Sequence, residues 1–109
     1  MIEREAKFRI GEVVKHRFFD FRGVIFDVDT TFNNTEKWWL SIPEAVRPIK
    51  DQPYYHLFAE NEESEYIAYV SEQNLLVDTS AKPVRHPDVN QVFENFDGSA
   101  YAVRVNKTH

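Results

Sequence analysis

The sequence predicts a mainly β fold: a small, SH3-like antiparallel barrel with a long insertion and a short C-terminal helix. Short apolar segments alternate with polar turns through residues 12–78, and this region shows little helical periodicity. The 109 residues include nine Phe, five Tyr and two Trp, which favours a core built on rings. Four or five short strands joined by tight hairpins fit such a barrel, and an OB-type barrel is the second choice.

Two strands are predicted in the first third of the chain. The first covers EVVKHR, residues 12–17, after a turn at Gly11. The second covers VIFDVD, residues 24–29, after a bend or bulge at Gly23. Its period of two predicts two opposite faces, one made by Val24, Phe26 and Val28, the other by Ile25, Asp27 and Asp29.

A long connection with prolines at positions 43, 48 and 53 follows, over residues 30–53. This proline spacing excludes a long helix or a central strand. One or two helical turns are expected around Thr35 to Ile42, with Asn34 or Thr35 as the N-cap. Connections of this length inside compact domains often carry function.

A hairpin and a last short segment complete the predicted barrel. YYHLFAEN, residues 54–61, alternates as a strand, and EYIAYVS, residues 65–71, is the returning strand after a charged turn. QNLLVD, residues 73–78, closes the barrel as a strand or a 3₁₀ turn.

The tail has a different composition and is treated as an extension of the barrel. Its segment HPDVNQVFENF predicts one short amphipathic helix, because Val89, Val92, Phe93 and Phe96 recur at helical spacing. AYAVRV, residues 100–105, is a weak strand. The predicted organisation is therefore a lead-in over residues 1–6, a barrel over 7–78 and an extension over 79–109.

Charge and composition limit the classes of function. The formal net charge of −5 counts against a chain dedicated to phosphate backbones, although residues 1–22 hold six Lys or Arg against four acids. Residues 56–78 hold six acids and no Lys or Arg. The chain has no cysteine, no secretory apolar region and no apolar segment near the roughly 20 residues that span a bilayer. We expect a cytoplasmic protein that does not enter a membrane.

Catalytic and metal motifs are not found in the sequence. His16 and His56 lie in predicted strands, where hydrogen-bonding roles in the fold are more common than catalytic ones. The chain has three glycines, no phosphate-binding glycine-rich loop and no G-x-S-x-G. A calcium loop starting at Asp27 fails, since position six is Phe32 and position twelve is Trp38. The sequence predicts no enzyme, no metal and no cofactor.

Two kinds of binding surface remain. For DNA, a cluster of cations on one face would contact phosphates, and an aromatic ring at a loop tip would contact a methyl group. The candidates for this surface are Lys7, Arg9, Lys15, His16, Arg17 and Arg22. An ordinary solvated face, with the rings packed inside, explains the same residues.

For a protein partner, large rings beside turns and prolines are hard to bury and supply much of the energy of interfaces. The candidates are Phe18, Phe19, Phe21, Trp38, Trp39, Tyr54, Tyr55 and His56. The alternative is that the two tryptophans cap the open end of the barrel. On a strand, neighbours point in opposite directions, so one Trp would cap the barrel and the other would face a partner. Edge strands on so small a barrel also favour a homo-oligomer.

Three ordered motifs resemble the HspQ family, also called YccV-like or hemimethylated-DNA-binding domains: KFRIGEVVKHRFFDFRGVIFDVD, then PYYHLFAE, then YIAYVSEQNLL. The matching positions are Lys7, Phe8, Ile10, Gly11, Val14, His16, Gly23, Val24, Asp27, Asp29, Pro53, Tyr55, His56, Tyr69, Val70, Glu72 and Leu75. Tyr54 stands where the family commonly has Trp. The resemblance covers about residues 7–78 and is much weaker in the tail.

The resemblance implies a non-enzymatic SH3-like barrel in a small bacterial cytoplasmic stress protein. One implied role is stress-linked proteolysis, in which the protein modulates the substrates of the Lon protease and promotes loss of the initiator DnaA. The other implied role is preferential binding to hemimethylated DNA. The module also occurs in eukaryotic F-box proteins, which fits a role in degradation. We take the proteolytic role as the first hypothesis and DNA binding as the alternative.

Overall fold

A computed structural model describes residues 5–105, which form seven strands, two short α-helices and two 3₁₀ turns. The strands are β1 (Val13–His16), β2 (Arg22–Asp29), β3 (Tyr54–Glu60), β4 (Glu65–Ser71), β5 (Leu75–Val77), β6 (Phe93–Glu94) and β7 (Ala102–Val103). The helices are α1 (Glu36–Ser41) and α2 (Val89–Val92), and the 3₁₀ turns are Glu44–Val46 and Glu72–Asn74.

Five strands form one antiparallel sheet in the order β4-β3-β2-β1-β5, and β6 pairs with β7 in a separate ribbon. Consecutive strands β1 to β4 are neighbours, whereas β5 returns past them to pair with β1. The predicted mainly β class is confirmed. Residues 73–78 supply both of the predicted alternatives, since a 3₁₀ turn leads directly into β5. Closure of this sheet into an SH3-like barrel stays a prediction.

A bulge in β2 changes which residues share a face. The pairing with β3 shifts register between Ile25 and Asp27, so that Phe26 is the extra residue. Phe26 packs beside Val24, as predicted, but Val28 packs with Ile25 on the opposite face. The predicted grouping of Val28 with Val24 is therefore wrong, because a one-residue bulge inverts the alternation beyond it.

Gly23 lies inside β2 and not in a bend before it. It pairs with Val14 on one side and Ala59 on the other. A Cβ atom at this position would lie 2.6 Å from the Phe58 carbonyl oxygen, so the close approach of β3 requires glycine. Gly11 does serve the predicted turn, with φ of 97°.

The sheet packs a core on each face. The first core contains Val14, Ile25, Tyr55 and Leu57, and Phe8 from the segment before β1 covers it. The second core is made jointly by the sheet and the tail, through Val13, Val24, Phe58, Val84, Val89 and Phe93. Residues 79–105 therefore cover one face of the sheet.

The C-terminal helix is shorter than predicted. It ends at Val92, and Phe93 adopts an extended conformation (φ −125°, ψ 160°) that begins β6. Phe93 pairs with Val103, while its ring is fully buried in the second core. The helical spacing was misleading because the buried residues are shared between α2 and a strand. The weak strand predicted at residues 100–105 is confirmed as β7.

The insertion follows the prediction closely. Thr35 is the N-cap of α1, and its Oγ1 accepts a hydrogen bond from the backbone N–H of Trp38 at 3.1 Å. Among residues 5–105, no helix is long and apolar enough to cross a bilayer. The predicted lead-in lies partly outside the described residues, since the description begins at Glu5.

We expect the tail to be necessary for the stability of the sheet. Phe93→Ala should lower the free energy of unfolding by roughly 3–5 kcal/mol, the usual cost of truncating a buried phenylalanine. Urea unfolding measures this, with Val105→Ala as the control because Val105 is 77% exposed in the same segment. A loss below roughly 0.5 kcal/mol for Phe93→Ala would show that the tail is not part of the cooperative unit.

Candidate functional site

An apolar groove lies between the loop joining β1 to β2, the insertion and β4, and encloses about 190 Å³. We call it the aromatic groove. Its ring-bearing residues are Phe19, Phe21, Trp38, Tyr54, Tyr66 and Tyr69. Its aliphatic residues and proline are Ile42, Val46, Pro48, Ala68 and Val70, and its remaining residues are His16, Ser71 and Asn74. The fold thus brings together candidates from three segments of the sequence: the 17–21 loop, α1 and the start of β3.

The loop of residues 17–21 forms one wall of the groove and is held by His16. The His16 Nδ1 atom accepts hydrogen bonds from the backbone N–H groups of Phe18 and Phe19, both at 3.0 Å. The His16 ring stacks on Phe19 with centroids 4.7 Å apart. The backbone N–H of His16 also donates to the Phe21 carbonyl at 3.0 Å, which closes the loop. His16 therefore satisfies the backbone donors of the loop with its own side chain and fixes the loop conformation.

The three phenylalanines of this loop have different environments. Phe21 packs on the first core and meets Tyr66 edge to face at 5.9 Å. Phe18 and Phe19 are 61% and 52% exposed. These two adjacent exposed rings form an apolar patch, with Phe19 lining the groove and Phe18 outside its lining. That one of them contacts a partner stays a prediction.

The two tryptophans lie on α1 and not on a strand, so the argument from alternating strand directions does not apply. Both are half-buried. Trp38 contacts Tyr69 at a centroid distance of 5.3 Å and forms part of the groove. Trp39 donates from Nε1 to the Pro48 carbonyl at 2.9 Å, and the Lys50 ammonium lies 4.6 Å from its ring. Trp39 therefore connects α1 to residues 48–50 at the end of the insertion.

Tyr54 and Tyr55 are fully buried, so the expectation that rings beside the prolines are hard to bury is wrong for these two candidates. The Tyr54 hydroxyl donates to the Ile49 carbonyl at 2.8 Å, and the Tyr55 hydroxyl donates to Glu72 at 2.6 Å. Burial raises the pKa of Tyr54 to about 12, and burial also raises the pKa of Tyr69. The groove therefore carries no phenolate at neutral pH.

The six basic candidates do not form one continuous face. Lys7, Arg9, Lys15 and Arg17 are exposed, whereas His16 is buried with its Nδ1 engaged as described. Arg22 is an internal group, 2.8 Å from Glu60 and 3.1 Å from Asp78. Burial alone would raise the pKa of Asp78, but hydrogen bonds from Ser80 and Arg22 hold that pKa below its ordinary value. Lys15 and Arg17 remain side by side at the end of β1, as exposed cations.

A second cluster was not visible in the sequence spacing. Asp27, Asp29 and His56 each offer a ligand atom, all within 4.8 Å of one another, so they are the described residues that could hold a metal ion. They meet because Asp27 and His56 are cross-strand partners. The His56 Nε2 atom lies 2.9 Å from Asp29 Oδ2, which also accepts from the Tyr69 hydroxyl at 3.0 Å. These bonds link β2, β3 and β4.

The family model described as "Hemimethylated DNA-binding protein YccV like" matches residues 6–100. The chain belongs to the YccV-like family. The match extends well beyond residue 78, where the sequence places the end of the barrel, and includes the tail that covers the second core. The family description names binding to DNA and no reaction.

Curated relatives of this YccV-like chain include F-box only protein 21 from Mus musculus, which is 28% identical over 99 residues. The proteins of the same name from Pongo abelii and Homo sapiens are 27% identical over 99 residues. Each alignment covers 90% of this chain but only 15% or 16% of the relative. No solved structure matches the chain significantly.

We expect His16 to make folding stability depend on pH. Burial lowers the pKa of His16 below its ordinary value of 6.5, so the unfolded chain binds a proton at a higher pH than the folded chain does. The contribution of His16 to stability should therefore be complete above pH 6.5 and decline as the pH falls below it.

Urea unfolding at pH 7.5 and 5.5 measures this contribution. His16→Asn is the comparison, because its side-chain oxygen can replace Nδ1 as an acceptor but does not titrate. The variant should lose less stability than the native sequence between the two pH values, which isolates His16 from the other histidines. Equal losses in the two proteins would contradict the assignment.

Proposed function

We propose that this YccV-like chain is a non-catalytic adaptor that binds protein clients through the aromatic groove in regulated proteolysis. The observation that carries the proposal is a pair of adjacent exposed rings: Phe19 lines the uncharged groove, and Phe18 lines the cleft that adjoins it. Rings of this kind, partly exposed beside a preformed apolar groove, are typical anchors for a partner chain. The resemblance to HspQ supports Lon protease and substrates such as DnaA as the partners.

The absence of catalysis is part of this proposal. The imidazole of His16, the histidine at the groove, already accepts two backbone hydrogen bonds and stacks on Phe19. The neighbouring polar groups are a serine, an asparagine and tyrosines whose hydroxyls are buried or bonded. The chain has no cysteine to act as a nucleophile. The groove therefore suits binding and offers no pair of nucleophile and base.

We expect the purified chain to accelerate degradation of DnaA by Lon, measured from the disappearance of DnaA on gels in the presence of ATP. Phe19→Ser should abolish most of the acceleration because it removes a ring from the groove. Ile67→Ser is the matched control, since Ile67 is 55% exposed on β4 but does not line the groove. If the native chain at saturating concentration leaves the degradation rate unchanged, the proteolytic role is wrong.

The second candidate function is binding to hemimethylated DNA. The description of the matching family supports it, as do the exposed cations Lys15 and Arg17 beside the exposed rings of the 17–21 loop. The cations would contact phosphates, and a ring would contact the methyl group in the major groove.

Fluorescence anisotropy with unmethylated, hemimethylated and fully methylated duplexes of one sequence tests DNA binding. The hemimethylated duplex should bind most tightly, and its affinity should fall as salt rises. The double variant Lys15→Glu, Arg17→Glu should lose most of the affinity while keeping its unfolding midpoint. Equal, weak binding to all three duplexes would rule out this function.

A further inference from the structure

The aromatic groove adjoins a second cleft of about 310 Å³, and Val46 and Asn74 line both. The second cleft also contains Arg17 from the end of β1 and Arg47 from the insertion, and no acidic side chain lines it. Two guanidinium groups therefore stand at one end of an uncharged apolar groove.

Both arginines are positioned by carbonyl groups of the chain. Arg17 donates from Nε to the Gln73 carbonyl at 3.1 Å. Arg47 donates from Nε and Nη2 to the Ile42 carbonyl, at 3.1 and 2.9 Å, and lies over the Trp39 ring at 5.0 Å. These bonds leave the two terminal nitrogens of Arg17 and the Nη1 of Arg47 available as donors to a ligand.

The absence of a carboxylate partner distinguishes these two arginines within residues 5–105. Every other arginine in that range pairs with an acidic side chain: Arg9 with Glu12, Arg22 with Glu60 and Asp78, Arg85 with Glu60 and Glu65, and Arg104 with Glu94. Arg17 and Arg47 converge on one cleft without such a partner. A chain this rich in acids therefore holds one place where a carboxylate is electrostatically complementary but is not supplied by the described residues.

We propose that the occupant of this surface is a protein segment that places an Asp or Glu side chain beside large apolar side chains. The apolar residues bind in the aromatic groove, and the carboxylate binds between Arg17 and Arg47, where planar guanidinium groups offer paired N–H donors. This inference rests on the proposed function, because it specifies the chemistry of the client that the groove binds.

Selection of random dodecapeptides on the immobilised chain tests the chemistry of the occupant directly. Enriched sequences should contain Asp or Glu next to Leu, Pro or aromatic residues. The best peptide is then synthesised with its acid intact and with that acid changed to the amide, and both are measured by fluorescence anisotropy. The acidic peptide should bind about tenfold more tightly, the effect of one charge-assisted hydrogen-bonded pair.

Arg17→Gln is the variant that separates charge recognition from a general loss of structure. This variant should bind the acidic peptide about tenfold more weakly than the native chain does, and its affinity for the amide peptide should be unchanged. Lys37→Gln removes a positive charge from an exposed side chain on α1 that lines neither cleft, and should leave both affinities unchanged. Arg47→Gln should repeat the Arg17 result if its unfolding midpoint is unchanged.

Each contrary outcome has a distinct meaning. Enriched peptides that bind at the groove without acids, or equal weakening of both peptides by Arg17→Gln, would overturn this inference and leave the proposed function standing. If no enriched peptide loses affinity for the Phe19→Ser variant, peptides do not bind in the aromatic groove, and the proposed function itself is wrong. A DNA duplex could also displace the acidic peptide. If Arg17→Gln lowers the affinity for that duplex as much as the affinity for the acidic peptide, the arginines bind phosphate and the inference is wrong.

Discussion

The guanidinium of Arg22 is the group on which the rest of the fold depends. Arg22 lies at the start of β2 and pairs with Glu60 at the end of β3 and with Asp78 directly after β5. It also donates to the carbonyls of Lys82 and Pro83, which begin the path of the tail toward the second core. One mostly buried side chain thus joins both sides of the sheet to the tail. Removing one member of such a buried network typically costs roughly 3–5 kcal/mol, because the remaining charge is left unpaired.

The same constraint explains why the loop between β1 and β2 is suited to binding. Because β1 and β2 are fixed at their paired ends, the loop has little freedom and must place three phenylalanines within five residues. Phe21 fits on the first core, and His16 holds the backbone of Phe18 and Phe19. The two remaining rings stay in solvent although their backbone is ordered. A partner that binds them pays less conformational entropy than it would for a flexible loop.

Local patterns in the sequence predicted most of the helices and strands, but they did not predict the contacts between these elements. The N-cap at Thr35 and the hairpin of β3 and β4 follow from residue types over a few positions, and both are present. The bulge at Phe26 depends on how β3 packs against β2, so alternation alone predicted the wrong face for Val28. The early end of α2 also has a non-local cause, since Phe93 pairs with Val103 of β7, ten positions later in the chain. For the site, composition identified the ring-rich segments, but only the fold shows that Tyr54 lies beneath the groove and that Arg47 stands beside Arg17.

Electrostatics favours a protein segment over a duplex as the ligand of the 17–21 loop. The net charge of −5 repels a polyanion whose phosphates extend over many ångströms, and the exposed acids Glu62 and Glu63 lie in the hairpin turn that follows β3. A single carboxylate between two guanidinium groups interacts at hydrogen-bond distance. The repulsion from acids farther away is screened, since the Debye length is about 8 Å at physiological salt. A local cationic cleft on an acidic protein therefore selects a ligand with one or two negative charges beside apolar groups, and it does so most strongly where the surrounding groove excludes water.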